Sequence, residues 1–101
     1  MVYALSTSIS TVEELKEYVY GTLCSDHDIL ADAFPKSSTP LRRGGEICGI
    51  MFCVHGPRTV EFTAIWEQSR NRVFFFGPTG VRYRLVELGE TPLSKLRLTA
   101  W

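Results

Sequence analysis

A thiol and an imidazole two residues apart, Cys53-Val54-His55, come nearest in this sequence to a pair whose types and spacing could do chemistry. On a strand, residues i and i+2 share a face. The sulfur and the ring would then stand side by side next to the turn His55-Gly56-Pro57-Arg58. With Cys24 and His27 they make a formal set of two cysteines and two histidines. Neither pair has the C-x2-C or H-x3-H spacing of a zinc knuckle. No third group that would orient a cysteine–histidine nucleophile can be named from the chain. His55 therefore reads as a solvent-facing turn residue, and the sequence leads us to expect no metal, no cofactor and no catalytic residue.

The other candidate groups are weaker. Glu61 and Glu67 lie six residues apart on one expected strand, roughly 20 Å, too far for a paired-carboxylate hydrolase. Gly44-Gly45 and Gly77-Pro78-Thr79-Gly80 lack the strand, glycine-rich loop and helix with its lysine that make a phosphate cradle, and they read as backbone turns. Phe74, Phe76, Arg82 and Arg84 combine aromatic rings with guanidinium groups, the ingredients of a base-stacking platform. Arg72-Val73-Phe74-Phe75-Phe76-Gly77 nevertheless departs from the RNP1 pattern.

Charge is neutral overall but unevenly placed. Through residue 35 the chain carries six acidic residues against Lys16 alone; beyond it lie ten cations against five glutamates, and eight of the eleven cations are arginine. Such a split marks either a partner surface or an acidic helix beside a basic sheet within one molecule. The apolar share of 45% suffices for a packed interior. With 101 residues, one domain is expected, and no apolar run approaches the roughly 18 residues of a membrane span. Met1 to Leu5 lack the basic flank of a secretory signal, and three irregularly spaced cysteines are no disulfide framework, so a cytoplasmic location is the expectation.

The elements that must position these groups follow from period. Ser10 with Glu13, or Thr11 with Glu14, fits a capping box, and Val12, Leu15, Val19 and Leu23 then form one apolar helical stripe. Ser25 or Asp26 reads as the cap of a second, shorter helix with Ile29, Leu30, Ala33 and Phe34 as its apolar face, stopped by Pro35. Residues 36–45 read as a loop. From Glu46 the period changes to two, and four strands are expected at 46–54, 59–67, 72–77 and 81–88, with gaps too short for parallel crossovers. The predicted fold is a two-layer α+β domain: a helical segment at 11–34 packed on an antiparallel four-stranded β-meander at 46–88, with a C-terminal tail at 89–101.

Register refines this. A loop over Gln68–Asn71 pairs Glu67 with Arg72, Trp66 with Val73 and Ala64 with Phe75. The preceding turn is expected to pair Cys53 with Val60 and Met51 with Phe62. Unpaired burial of Arg82 and Arg84 would cost several kcal/mol. A three-residue loop with left-handed Gly80 avoids it, pairing Tyr83 with Phe75 and Leu85 with Val73. This register puts Cys48, Ile50, Phe52, Val54, Thr63, Ile65, Phe74, Phe76, Val86 and Leu88 on a second face that is also apolar.

Something must cover that face: one of the helices or the tail Pro92–Leu98, a second copy of the chain, or a ligand. The functional expectation is a non-enzymatic protein-interaction module, self-associating or docking a protein partner. Its interaction face would comprise Ile50, Phe52, Ile65, Phe74, Phe76, Arg82 and Arg84. Single-stranded nucleic-acid binding on the same aromatic and arginine residues is the alternative, and a small-molecule-binding protein or an unrecognised enzyme comes third.

Overall fold

A computed structural model of the chain describes residues 2–4, 9–30, 33–89 and 91–95. In chain order the elements are β1 (Val2–Ala4), α1 (Val12–Asp26), β2 (Lys36–Arg43), β3 (Glu46–His55), β4 (Glu61–Glu67), β5 (Arg72–Phe76), β6 (Arg82–Glu87) and α2 (Pro92–Lys95). The fold is α+β. The six strands form one sheet in the order β1-β6-β5-β4-β3-β2, antiparallel throughout except where β1 runs parallel to β6.

Of the two capping boxes the sequence offers, Thr11 with Glu14 is the one that starts α1. Thr11 accepts from the Glu14 amide at 3.1 Å, and the Glu14 carboxylate accepts from the Thr11 amide at 3.1 Å, so two of the orphan donors at the helix start are satisfied reciprocally. Leu15, Val19 and Leu23 are wholly buried and pack α1 on β3 and β4. Tyr20 and Tyr18 meet Phe52 and Phe75 edge-on.

The second helix does not form in the described part of its range. α1 runs on through Asp26, residues 27–30 leave helical geometry with Asp28 at φ +55°, and residues 33–35 are turn and coil. Residues 31 and 32 lie outside the described set. The expected loop at 36–45 is instead a strand and its turn. Gly44 and Gly45 both take positive φ, giving the two-residue turn that matches strand twist, and β2 pairs with β3 from Arg43–Glu46 back to Lys36–Val54. The sheet therefore gains a strand on each side of the expected four.

The register expected around β4 and β5 is found: Glu67 opposes Arg72, Trp66 opposes Val73 and Ala64 opposes Phe75. The register expected between β3 and β4 is not. Cys53 pairs with Thr63 and Met51 with Ile65, while Ile50, Phe52 and Val54 oppose Trp66, Ala64 and Phe62. The cause is the connection. Pairing ends at His55–Glu61, and the residues between make a 3-10 turn with Arg58 and Thr59 at positive φ. An odd shift exchanges the two faces of β3, so Ile50 and Phe52, expected on the open face, are fully buried beneath α1 with Val54.

The last hairpin has its three-residue loop, with Gly80 at φ +84° and the Gly77 amide donating to the Val81 carbonyl. A second irregularity between Phe75 and Phe76 then slips β6 by one. Val86, not Leu85, opposes Val73 in the core, and Arg84 opposes Phe75 on the helix side. The slip is tolerated because Arg84 is not buried unpaired. Its guanidinium donates to Asp26 at the end of α1 at 2.9 Å, and the Tyr83 hydroxyl donates to the other Asp26 oxygen at 2.8 Å. Burial, followed by this bond to a carboxylate, holds the Tyr83 pKa far above the ordinary tyrosine range. The acidic helix and basic sheet thus meet within one molecule at Asp26–Arg84. Leu93 of α2 joins the same core, and its carbonyl accepts from Gln68 at 3.1 Å.

His27 closes α1. Its ring stacks on Phe62 at 4.2 Å and meets Tyr83 edge-on, and its buried Nε2 has no hydrogen-bond partner. Burial lowers its pKa from the ordinary 6.5, against a weaker opposing pull from Asp26 and Asp28. The folded state thus binds a proton less readily than the unfolded chain. This contribution to stability is complete above the unfolded pKa and is lost as pH falls through it toward the folded value. The urea midpoint is expected to drop between about pH 7.5 and 5.5. The drop should be smaller in His27→Phe, which keeps a ring on Phe62 and has no proton to take up. Equal slopes in the two proteins would refute the assignment.

Candidate functional site

The face of the sheet away from α1 is built from three cross-strand rows that follow directly from the register. The central row runs Thr39, Met51, Ile65, Phe74 and Leu85 across β2 to β6. Four of its five members are apolar, and those four are partly exposed. On one side lies Leu41, Gly49, Glu67, Arg72 and Glu87; on the other lies Ser37, Cys53, Thr63, Phe76 and Arg82. Two depressions of about 320 and 310 Å³ flank this surface, and Ile65 lines both. Among the described residues, α1 and Leu93 pack on the opposite face.

Of the residues expected to form an interaction face, Ile65, Phe74, Phe76 and Arg82 are brought together here. Ile50 and Phe52 are removed to the core by the β3 register, and Arg84 is turned to the helix side by the irregularity in β6. Met51 and Leu85 take the vacated places. A choice of register by bulk would have found them, since Ile50, Phe52 and Val54 fill a core better than Met51, Cys53 and Gly49. The arginines that remain are already engaged. Arg72 bonds Glu67 at 3.0 Å, and the Arg72 and Arg82 guanidinium carbons lie 4.8 and 5.3 Å from the centre of the Phe74 ring. A nucleobase would have to displace a guanidinium to stack on that ring.

At the end of the face the register assembles a cluster. His55 ends β3 directly opposite Glu61, which begins β4, and Cys53 lies two residues before His55 on the same side. One ligand atom from each of the three lies within 4.8 Å of the others. The Cys53 thiol donates to the Glu61 carboxylate at 3.4 Å. The Ser37 hydroxyl sits 3.0 Å from His55 Nε2, and the His55 amide donates to the Pro35 carbonyl, so β2 holds this end of β3 in place.

The cysteine–histidine pair foreseen in the sequence is therefore real as a neighbourhood. The register expected from sequence sets Val60 beside Cys53 and so hides Glu61, which the observed register places opposite His55. As a nucleophile Cys53 is poorly placed. Burial first, then the hydrogen bond to Glu61 and its charge, raise the thiol pKa, with Thr63 pulling more weakly the other way. An activated cysteine needs the opposite environment. Cys24 and His27, the other half of the formal set, lie at the far end of α1 on the core side, with Cys24 buried.

Comparison with protein-family models, with curated proteins and with solved structures finds no match to this chain. The functional reading therefore rests on the face and the cluster themselves.

Proposed function

We propose that this chain is a non-enzymatic interaction module that self-associates by packing the face described above against a second copy. The observation that carries the reading is the central row, Met51, Ile65, Phe74 and Leu85, an apolar stripe lying partly exposed between two rows that bear charge.

Face-to-face packing is favoured over pairing through β2 by the composition of that edge. β2 is an edge strand, and it carries Lys36, Arg42 and Arg43 together with Pro40, which has no N–H to offer. Charged residues and proline are how sheets blunt an edge. A two-fold axis along the central row would set the Arg82 row of one copy over the Glu87 row of the other, giving opposite charges at the rim and apolar contact between them. Five strands and three rows give a footprint of roughly 400 Å². That is below the roughly 800 Å² per partner of a standard complex, so the dimer is a weak one, forming at micromolar concentrations or above.

Sedimentation velocity over a concentration series from about 5 to 500 µM tests this. The weight-average mass is expected to climb toward two chains, and Phe74→Ser is expected to shift the transition at least tenfold upward. A mass of one chain at every concentration, or a dimer indifferent to Phe74→Ser, sinks the proposal.

A further inference from the structure

Cys53, His55 and Glu61 present a thiol, an imidazole and a carboxylate at one point, from two strands whose register is fixed on both sides. Around a tetrahedral zinc ion with bonds of about 2.0 to 2.3 Å, neighbouring ligand atoms stand about 3.3 to 3.8 Å apart. The Cys53 sulfur and the Glu61 oxygen are already at 3.4 Å, and no ligand atom is more than 4.8 Å from another. Closing the longest of these separations to that range takes a movement of about an ångström. The donors also match in type, since thiolate and imidazole suit zinc and disfavour magnesium and calcium. A thiolate and a carboxylate together balance the charge of a divalent ion, the thiol proton being released to solvent on binding.

We propose that Cys53, His55 and Glu61 form a zinc site with three protein ligands, the fourth position being left to solvent or to a donor from another molecule. Ser37 holds the His55 ring, as the outer partners of metal-binding histidines do. Burial differs across the set in the way such a site requires. Cys53 is enclosed, His55 is partly exposed and Glu61 is exposed, so an ion enters from the Glu61 side. All three protein ligands come from one chain, so the site forms in the monomer.

The test uses the reduced full-length protein and Zn²⁺ alone, titrated in competition with a chromophoric chelator, with Co²⁺ as a spectroscopic stand-in. One zinc per chain is expected, unaffected by excess Mg²⁺ or Ca²⁺. The Co²⁺ form is expected to show a thiolate-to-metal charge-transfer band that Cys53→Ser abolishes and Cys48→Ser leaves intact. His55→Ala and Glu61→Gln, at positions open to solvent, are each expected to weaken zinc binding about a hundredfold with an unchanged circular dichroism spectrum. These two variants decide the matter should Cys53→Ser fail to fold. Absence of binding at about 100 µM zinc, or binding that depends on Cys48 and is indifferent to His55 and Glu61, overturns the proposal.

Discussion

Asn71→Ala is expected to lower the stability of this protein by about 3 to 5 kcal/mol, a large part of the roughly 5 to 15 kcal/mol that holds a domain of this size folded. Asn71 is only 2% exposed, and its side chain is the junction between the β4–β5 turn and the segment that follows β6. Its oxygen accepts from the Trp66 indole nitrogen at 2.9 Å. Its nitrogen donates to the Gly89 carbonyl at 2.8 Å and to the Thr91 hydroxyl at 3.0 Å. Its own carbonyl accepts from the Leu88 amide. Truncation strips the partner from a buried indole N–H, and each such orphaned group costs about 1 to 3 kcal/mol.

Backbone geometry adds to this. Asn71 sits at φ +48°, a left-handed position that asparagine tolerates and alanine resists by about 1 kcal/mol. Asn71→Gly should therefore be less damaging than Asn71→Ala by about that amount, although it loses the same hydrogen bonds. Urea denaturation of the three proteins separates the two contributions. A loss below about 1 kcal/mol in Asn71→Ala would show that the junction does not hold the sheet to its C-terminal segment.

Gly49→Ala is the second large effect, and it would arise from a single methyl group. Gly49 pairs with Glu67 in the row beside the apolar stripe, and a Cβ built on it lies 2.4 Å from the Trp66 backbone oxygen. Real Cβ atoms do not approach an oxygen so closely, and the obstacle is main chain, so β3 or β4 has to move. A cost of about 3 kcal/mol is expected, at the upper end of overpacking. The same substitution at Gly21 has the opposite sign. Gly21 is exposed on α1 with open space around its Cβ position, and Gly21→Ala should stabilise the protein by about 0.5 to 1 kcal/mol. Thermal melts of the pair check both signs together, and destabilisation by Gly21→Ala or tolerance of Gly49→Ala would each contradict the packing described.

What could be read from the chain alone was whatever is decided within about one turn or one hairpin. The Thr11–Glu14 capping box and the apolar stripe of α1 are local hydrogen-bond and spacing effects, and they stand as read. So does the pairing of β4 with β5, where Glu67 and Arg72 flank a four-residue turn. Gly44-Gly45 carried the signal of a tight hairpin, but the polar composition of Lys36-Ser37-Ser38-Thr39-Pro40 concealed that an edge strand needs little apolar content.

Tertiary structure alone settled the rest. Arg58 and Thr59 adopt left-handed backbone that neither residue type advertises, and that turn sets which face of β3 is buried. The choice is enforced by the fit of Ile50 and Phe52 beneath α1, a long-range packing gain with no local trace. The irregularity at Tyr83 is likewise sustained by Asp26, 57 residues away along the chain, which gives both Tyr83 and Arg84 a partner. Types and spacing in the sequence determined that a thiol and an imidazole would share a strand face. Only the register, fixed by distant packing, brought Glu61 to them and gathered Met51, Ile65, Phe74 and Leu85 into one stripe. A one-residue slip moves every side chain of a strand to the other face, so these sites exist only once the core has chosen its side.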